Sequence, residues 1–183
     1  MTILGISGSL RRDSYNTGLL RAAAELLPPG VELELWEGLK AVPPYDQDDD
    51  TVDAPAAVAE LRSAVAGADA VLVATPEYNA SIPGVLKNAL DWVSRPVATN
   101  PLRNKPAAVV GASTGAFGAV WAQAELRKVL STIGARTLPN EVAARQAAER
   151  FDEDGRLVDE TVRAELTQTV ADLVEAACYR AAA

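Results

Sequence analysis

The sequence predicts an α/β protein built on a five-stranded parallel sheet, with helices on both faces and the strand order 2-1-3-4-5. Apolar runs of strand length alternate with amphipathic segments of helix length along the chain. Helical crossovers join parallel strands, so both faces of such a sheet are covered in a three-layer sandwich. Polar loops follow the first and third strands, which are the strands beside the switch point in this order.

The first half of the chain supplies three strands and two helices. Leu19, Leu20 and Ala23 lie on one face of the first helix, which Pro28-Pro29-Gly30 ends. The second strand alternates apolar and acidic residues, a pattern typical of a half-exposed edge strand. The predicted elements are strand 2–7, helix 14–27, strand 31–36, a loop over 37–53, helix 55–66 and strand 70–74.

The second half continues the alternation as far as Pro139, after which the pattern weakens until a last amphipathic helix. Gly134 ends the helix before that point, and a proline-rich connection precedes the fourth strand. The predicted elements are helix 83–94, connection 95–106, strand 107–111, helix 119–133, a short strand 136–138 and helix 159–180.

Length and composition indicate an ordinary globular protein. The chain has 183 residues, 49% of them hydrophobic, and we expect one domain over residues 1–183. The single cysteine, Cys178, excludes an internal disulfide and offers no thiolate cluster for a metal. No signal peptide is evident, and no apolar run reaches the roughly 20 residues that span a bilayer. We therefore expect a cytoplasmic protein.

The charge balance excludes some partners. The formal net charge of −8 disfavours binding to nucleic acid or to anionic membranes. Part of this charge comes from the segment Asp46–Asp50, which we interpret as a solvated loop. A cation site is the weaker alternative, because one acidic loop without a glycine turn does not form an EF-hand.

The first polar loop, Gly5–Arg12, leads into the first predicted helix. Helix N-termini bind phosphate because their free backbone N–H groups and the helix dipole favour negative charge. Ser9, Ser14 and Asn16 add hydrogen-bond donors, and Arg11 adds a positive charge. The alternative is structural, with Ser14 capping the helix and the glycines making a tight turn. The Walker pattern is missing, which disfavours a nucleoside triphosphatase.

The second polar loop joins the third strand to the next helix. Pro76 and Pro83 hold its backbone rigid, and a rigid backbone can direct N–H and C=O groups at the edge of a heterocycle. Tyr78 can pack against such a ring and Asn79 can hydrogen-bond to it. The alternative is a proline-rich turn covered by Tyr78. The carboxylate of Glu77 is either catalytic or, as we favour, a solvated or dimer-contacting charge.

The third loop, Gly111–Gly118, follows the fourth strand. Gly111, Ser113 and Gly115 match the nucleophile-elbow pattern G-x-S-x-G. A serine hydrolase of that type needs a histidine base, and the chain contains no histidine. The lack of histidine also argues against most zinc hydrolase schemes. We interpret the loop as a small-residue segment against which a planar ligand can lie.

At these loops the chain resembles the NAD(P)H-dependent FMN reductase family of the flavodoxin-like fold, the group that includes chromate and quinone reductases. The resemblance covers approximately residues 2–140 and is most specific in the second loop. The matching motifs are Gly8-Ser9-Leu10-Arg11 with Ser14 and Asn16, Pro76-Glu77-Tyr78-Asn79 with Ser81, Pro83 and Gly84, the segment Leu86–Trp92, and Ser113–Gly118 with Gln123, Leu126 and Arg127.

The resemblance implies bound FMN, with NADPH or NADH as donor and free flavin, quinones or related small molecules as acceptors. It implies a ping-pong cycle in which hydride reaches flavin N5, and it assigns no catalytic side chain and no metal. The implied cofactor residues are Ser9, Arg11, Ser14, Asn16 and Thr17 around the phosphate, Pro76, Glu77, Tyr78 and Asn79 along the isoalloxazine, mostly through backbone, and Ser113 and Gly115 on its other side.

The resemblance also implies a homodimer or homotetramer with flavin near the subunit interface. Trp92, Trp121 and the helix 83–94 are candidates for that contact, and packing on the sheet is their alternative role. Two other functions stay open on the same fold. One is an electron-transfer flavoprotein that does not oxidise NAD(P)H, and the other is a flavin-free interaction protein.

Overall fold

The computed structural model describes residues 1–51 and 53–181; Val52 in the predicted loop and the last two residues of the predicted domain lie outside this part. The strands are β1 (Thr2–Ser7), β2 (Glu32–Trp36), β3 (Ala70–Thr75), β4 (Pro106–Ala112), β5 (Arg136–Thr137) and β6 (Ala143–Ala144). The α-helices are α1 (Tyr15–Glu25), α2 (Ala56–Gly67), α3 (Gly84–Val93), α4 (Val120–Thr132) and α5 (Glu160–Ala181), with short 3₁₀ helices at 38–41, 47–49, 97–99 and 147–149.

All strand pairs of the sheet are parallel, and the order β2-β1-β3-β4-β5 confirms the predicted order. β6 was not predicted. It pairs with the end of β4, with Gly111 opposite Ala143 and Ala112 opposite Ala144. Two alanines carry no strand signal of their own, so tertiary pairing alone defines this strand.

The core lies in two layers, one on each face of the sheet. In β3, Leu72 faces the layer covered by α1 and α5, whereas Val71 and Val73 face the layer covered by α2, α3 and α4. β3 and β4 are buried along their whole length, as expected for central strands of a parallel sheet. In this sheet the carboxyl ends of β1, β3 and β4 meet at one edge, which brings the three predicted loops together.

The first helix shows how local signals position this edge. Ser14 caps α1 because its Oγ accepts the N–H of Asn16 at 3.2 Å. Leu19 and Leu20 are fully buried, and burial of each leucine contributes about 1.5–3 kcal/mol. The cap and the apolar face together fix the start of α1 directly after the first loop.

The acidic loop is more ordered than the sequence predicts. Asp46 is exposed, as the solvated interpretation predicts, and it also caps the 3₁₀ helix over 47–49. Asp50 is half-buried and pairs with Arg62 at 2.7 Å, so the solvated interpretation is wrong for that carboxylate. Arg62 also lies over the ring of Trp92. Trp92 is fully buried, and its Nε1 donates to the carbonyl of Pro43 at 2.9 Å. Of the two roles considered for Trp92, subunit contact and internal packing, the structure shows internal packing.

The last helix, α5, begins at a carboxylate that caps it. Asp159 accepts the N–H of Val162 at 2.9 Å and pairs with Arg150 at 2.7 Å. The backbone hydrogen bond from Val162, followed by the contact with Arg150, holds the pKa of Asp159 below its usual range despite partial burial.

No helix among residues 1–51 and 53–181 is both long enough and apolar enough to cross a membrane.

Candidate functional site

The three polar loops line one open cleft of about 270 Å³ at the carboxyl edge of the sheet. Parallel α/β sheets bind ligands at this edge, beside the switch point between β1 and β3. Most of the predicted site residues line the cleft, namely Ser9, Arg11, Ser14, Asn16, Pro76, Glu77, Tyr78 and Ser113. The other three predicted residues, Thr17, Asn79 and Gly115, are not among its lining residues.

Asn16 joins the first loop to the third. Its Nδ2 donates to the carbonyl of Ala112 at 3.0 Å, and its Oδ1 accepts the N–H of Ala112 at 2.9 Å. The side chain is buried, so these two bonds anchor the start of α1 to the end of β4. The sequence predicted Asn16 as a phosphate ligand; in the structure its side-chain amide is engaged by backbone.

Arg11 is the cation of the cleft. Its Nη2 donates to the carbonyl of Asp13 at 2.6 Å, and its guanidinium lies 5.1 Å from the ring centroid of Tyr15. The Oγ of Ser9 accepts the N–H of Arg11 at 3.4 Å. A guanidinium has five N–H donors, so the bond to Asp13 leaves others to bind an anion.

Thr17 faces away from the cleft towards a neighbouring cavity. Its Oγ1 donates to the Oγ of Ser7 at 3.1 Å. That cavity has a volume of about 370 Å³ and shares Ser9 and Arg11 with the cleft. The first loop therefore separates two adjoining spaces.

The second loop ends in a tight turn. Tyr78 and Ser81 exchange backbone hydrogen bonds of 2.9 and 3.1 Å around Asn79 and Ala80, which adopt φ values of +53° and +60°. Two successive left-handed residues form this kind of turn, and asparagine tolerates that region well. Asn79 thus lies at the exposed tip of the turn, and the turn directs Tyr78 to the mouth of the cleft.

Glu77 attaches the second loop to α4. One carboxylate oxygen accepts the backbone N–H groups of Trp121 and Ala122, at 3.0 and 3.1 Å. The capping residue of α4, Ala119, has no side chain that can do this. Glu77 is therefore neither merely solvated nor free; it caps a helix 44 positions further along the chain. The sequence does not indicate this role, because a cap from a distant residue has no local pattern.

A second hydrogen bond reinforces this contact. The Oγ of Ser81 donates to Oε2 of Glu125, one turn further along α4, at 2.5 Å. Tyr78 lies between Glu77 and Ser81, so the turn that carries its ring is fixed to α4 at both ends. Trp121, whose N–H binds Glu77, packs against Phe117 with ring centroids 4.8 Å apart, and about half of each of these two residues is exposed.

The third loop is held by the segment after β5, whose role the sequence did not predict. Ser113 donates its N–H to Ala144 at 3.1 Å and accepts the N–H of Ala147 at 3.0 Å. Gln146 donates its N–H to the carbonyl of Gly115 at 3.0 Å. These bonds continue the β4–β6 pairing into the loop, so the 143–147 segment sets the position of this cleft wall.

Gly118 permits a close approach at the end of this loop. Its φ is +61°, and a Cβ at this position would lie 2.8 Å from the carbonyl carbon of Ala143.

The Oγ of Ser113 accepts the N–H of Gly115 at 3.1 Å, which is a local turn contact. With no histidine in the chain, the serine lacks a base of the triad type, in agreement with the interpretation from sequence.

The chemistry of the lining groups fits FMN. One end of the cleft offers the start of α1, the hydroxyls of Ser9 and Ser14, and the guanidinium of Arg11, a donor set suited to a phosphate monoester. The other end is formed by Pro76 and Tyr78, next to main chain of the third loop. This polarity, with cationic donors at one end and a rigid, weakly polar wall at the other, matches a phosphorylated flat ring.

Comparison with solved structures defines the class. The chain matches FerB, a flavoenzyme NAD(P)H:(acceptor) oxidoreductase from Paracoccus denitrificans, with a TM-score of 0.84 and 36% identity over 96% of each chain. Together with the parallel sheet and its cleft, this match makes the chain a flavodoxin-like α/β protein. A family model described as NADPH-dependent FMN reductase matches residues 1–149. The chain belongs to this family of oxidoreductases.

Two curated relatives agree. An NAD(P)H-dependent FMN reductase of Pseudomonas aeruginosa is 46% identical over 162 residues, which cover 88% of this chain and 86% of the relative. A 2-hydroxy-1,4-benzoquinone reductase of a Burkholderia species is 39% identical over 164 residues, with 89% and 88% covered. The family, the FMN cofactor and the NAD(P)H donor that the sequence predicted are confirmed at this level.

Proposed function

We propose that this chain binds one FMN in the cleft and catalyses electron transfer from NAD(P)H to quinones and free flavin in a ping-pong cycle. The observation that carries the proposal is the convergence of the three loops in one cleft with phosphate donors at one end. Electron transfer of this kind needs a positioned cofactor more than an acid or base side chain.

The first loop holds the phosphate in this proposal. The N-terminus of α1 and the hydroxyls of Ser9 and Ser14 donate hydrogen bonds, and Arg11 supplies a charge. Asn16 acts indirectly, because its two bonds to Ala112 keep the start of α1 in register with the third loop. The phosphate site and the ring site are thereby fixed relative to each other.

The second and third loops hold the ring. Pro76, Glu77 and Tyr78 present backbone groups along one edge, and the cap from Glu77 and the hydrogen bond from Ser81 to Glu125 attach that backbone to α4. Ser113 borders the other side. When FMN is bound it supplies the redox chemistry, accepting hydride at N5 from NAD(P)H and passing electrons to an acceptor after the oxidised donor has left.

The acceptor class is supported by the cleft and by the relatives. The cleft is open to solvent at its ring end, where about half of the Tyr78 side chain is exposed, so a flat acceptor can approach the ring. The relatives act on FMN and on a hydroxybenzoquinone by name. We therefore expect quinones and free flavins to be reduced.

Initial-rate kinetics test the cycle. Rates measured at several fixed quinone concentrations while NADPH is varied are expected to give parallel double-reciprocal lines, because donor and acceptor occupy the site in turn. Intersecting lines would contradict the ping-pong cycle and require a ternary complex. A flavin-loaded protein that oxidises neither NADPH nor NADH would contradict the reductase proposal altogether.

We also propose that residues 1–183 form one domain that assembles as a homodimer or homotetramer in the cytoplasm. The exposed pair Phe117–Trp121 supports assembly, because large exposed aromatic side chains in one patch are typical of contact surfaces. Sedimentation equilibrium of wild type and Trp121→Glu tests this. We expect the variant to dissociate at concentrations where wild type does not, and a monomeric wild type would contradict the assembly.

A further inference from the structure

The cavity beside the first loop is distinct from the cofactor cleft. It lies at the carboxyl end of β2, has a volume of about 370 Å³ and adjoins the cleft through Ser9 and Arg11. Leu35, Trp36 and Leu39 give it an aromatic and aliphatic wall. Its position is at the ligand-binding edge of the sheet, next to the loop that favours phosphate.

The charge of this cavity opposes that of the chain. Arg11, Arg12, Arg21 and Lys40 line it, with Glu37 as the opposing acidic side chain. The whole chain has 25 acidic and 17 basic residues, so four cations around one space are a local reversal. Within the described part of the chain, Arg12, Arg21 and Lys40 make no ion pair with a carboxylate.

We propose that this cavity binds the 2′-phosphate of NADPH and makes the chain prefer NADPH to NADH. The proposal rests on the proposed function, because it requires a nicotinamide donor in the neighbouring cleft. Guanidinium groups bind phosphate through paired N–H donors, and lysine adds a point charge. The wall of Trp36 and Leu39 offers apolar surface to the adenine ring.

Two other phosphate monoesters have the same chemistry, namely the phosphate of bound FMN and that of free FMN as acceptor. Arg12, Arg21 and Lys40 do not line the cofactor cleft, whereas Arg11 lines both spaces. The three cations are therefore additional to the donor set proposed for the cofactor phosphate. NADPH differs from NADH by one phosphate only, so these cations can discriminate between the donors.

Nucleotide binding to the flavin-loaded protein tests the site without turnover. Calorimetric titration with adenosine 2′,5′-bisphosphate and with adenosine 5′-monophosphate is expected to show tighter binding of the bisphosphate by about tenfold or more, the effect of charged hydrogen bonds. In the double variant Arg12→Gln/Lys40→Gln this difference is expected to be lost. Lys128→Gln is the matched control, since Lys128 is exposed on α4, which packs against β4 and β5 at the other side of the sheet.

Donor selectivity gives a second measurement. The ratio of kcat/KM for NADPH to that for NADH, with a quinone as acceptor, is expected to fall about tenfold to a hundredfold in the Arg12→Gln/Lys40→Gln variant. Glu37→Gln is expected to raise the ratio, because it removes a carboxylate that lines the same cavity and would repel a phosphate there. A merely structural role of these side chains would change both donors alike.

Three results would overturn the proposal. One is equal affinity of the wild type for the two adenosine nucleotides. Another is a double variant with weakened FMN binding but an unchanged donor ratio, which would assign the cavity to the cofactor phosphate. The last is a double variant that, with NADH as donor, loses activity with free FMN as acceptor but keeps its activity with riboflavin. Flavin that NADPH fails to reduce, in a protein that still discriminates the nucleotides, would refute the proposed function while supporting the phosphate site.

Discussion

Replacing Glu77 with alanine removes the cap of α4 and releases one end of the second loop. In the wild type one carboxylate oxygen accepts two backbone N–H groups, from Trp121 at 3.0 Å and Ala122 at 3.1 Å. Without it these two donors at the start of α4 lose their acceptor, and Ala119 provides no substitute. Of the side-chain bonds that attach the turn around Tyr78 to α4, the one from Ser81 to Glu125 then remains.

The expected cost follows from these two bonds. Loss of a side-chain helix cap costs about 0.5–2 kcal/mol, and hydrogen bonds to a charged group contribute about 1.5–3 kcal/mol in buried settings. The bond to Trp121 is exposed, so we expect about 1–2 kcal/mol for Glu77→Ala. Glu77→Gln keeps an acceptor oxygen but loses the charge that favours a helix N-terminus, and we expect roughly half of that effect.

The free energy of unfolding in urea measures the cost, and flavin fluorescence measures FMN affinity. We expect FMN affinity of Glu77→Ala to fall about threefold to tenfold, because the ring-lining backbone must be ordered on binding, at about 1–2 kcal/mol per residue. Glu60→Ala, at an exposed helical glutamate without a hydrogen-bond partner in the described structure, is the control. If Glu77→Ala matches this control in both measurements, the proposed contact with α4 does not hold the second loop.

Three further predictions test other parts of the structure. Arg11→Ala is expected to weaken FMN binding by about 1.5–3 kcal/mol in a fluorescence titration, and an unchanged dissociation constant would place the phosphate elsewhere. Gly118→Ala is expected to lower the free energy of unfolding by at least about 1–2 kcal/mol, since φ is +61° and the new Cβ meets the backbone of Ala143; wild-type stability would contradict this. Asp159 has a lowered pKa in the folded state, so the stability it contributes is present near neutral pH and is lost as the pH falls through that lowered pKa. In urea unfolding at a series of pH values, Asp159→Asn is expected to be less stable than wild type at pH 7 and to lose less stability on acidification, whereas parallel pH profiles would contradict the assignment.

The sheet could be predicted because its signals are local. Apolar runs such as Ala70–Ala74 have no interruption, and Ser14 and Gly134 mark helix ends, so the alternation of elements and the strand order follow from the sequence. The short strand β6 carries no such signal. Ala143 and Ala144 form a strand because β4 offers unpaired backbone beside them, a fact that only the folded chain contains.

The residues of the site likewise divide into those with a local sequence signal and those defined by contacts between distant segments. Arg11 and Ser14 were predicted from their place before a helix, and Pro76 and Tyr78 from their place after a buried strand. The cap from Glu77 to α4 and the pairing of Asn16 with Ala112 join residues 44 and 96 positions apart, and no spacing rule indicates them. Side chains that connect the loops to one another were therefore the part that sequence reasoning could not assign.

The visible spectrum of the FMN-loaded protein under anaerobic conditions, before and after addition of NADPH and then NADH, tests the central claim most directly. We predict that the flavin absorption bands bleach within seconds of donor addition and return when a quinone is added. Flavin that stays oxidised with both donors would contradict the reductase account and favour an electron carrier. A protein that takes up no FMN after incubation would contradict the assignment of the cleft itself.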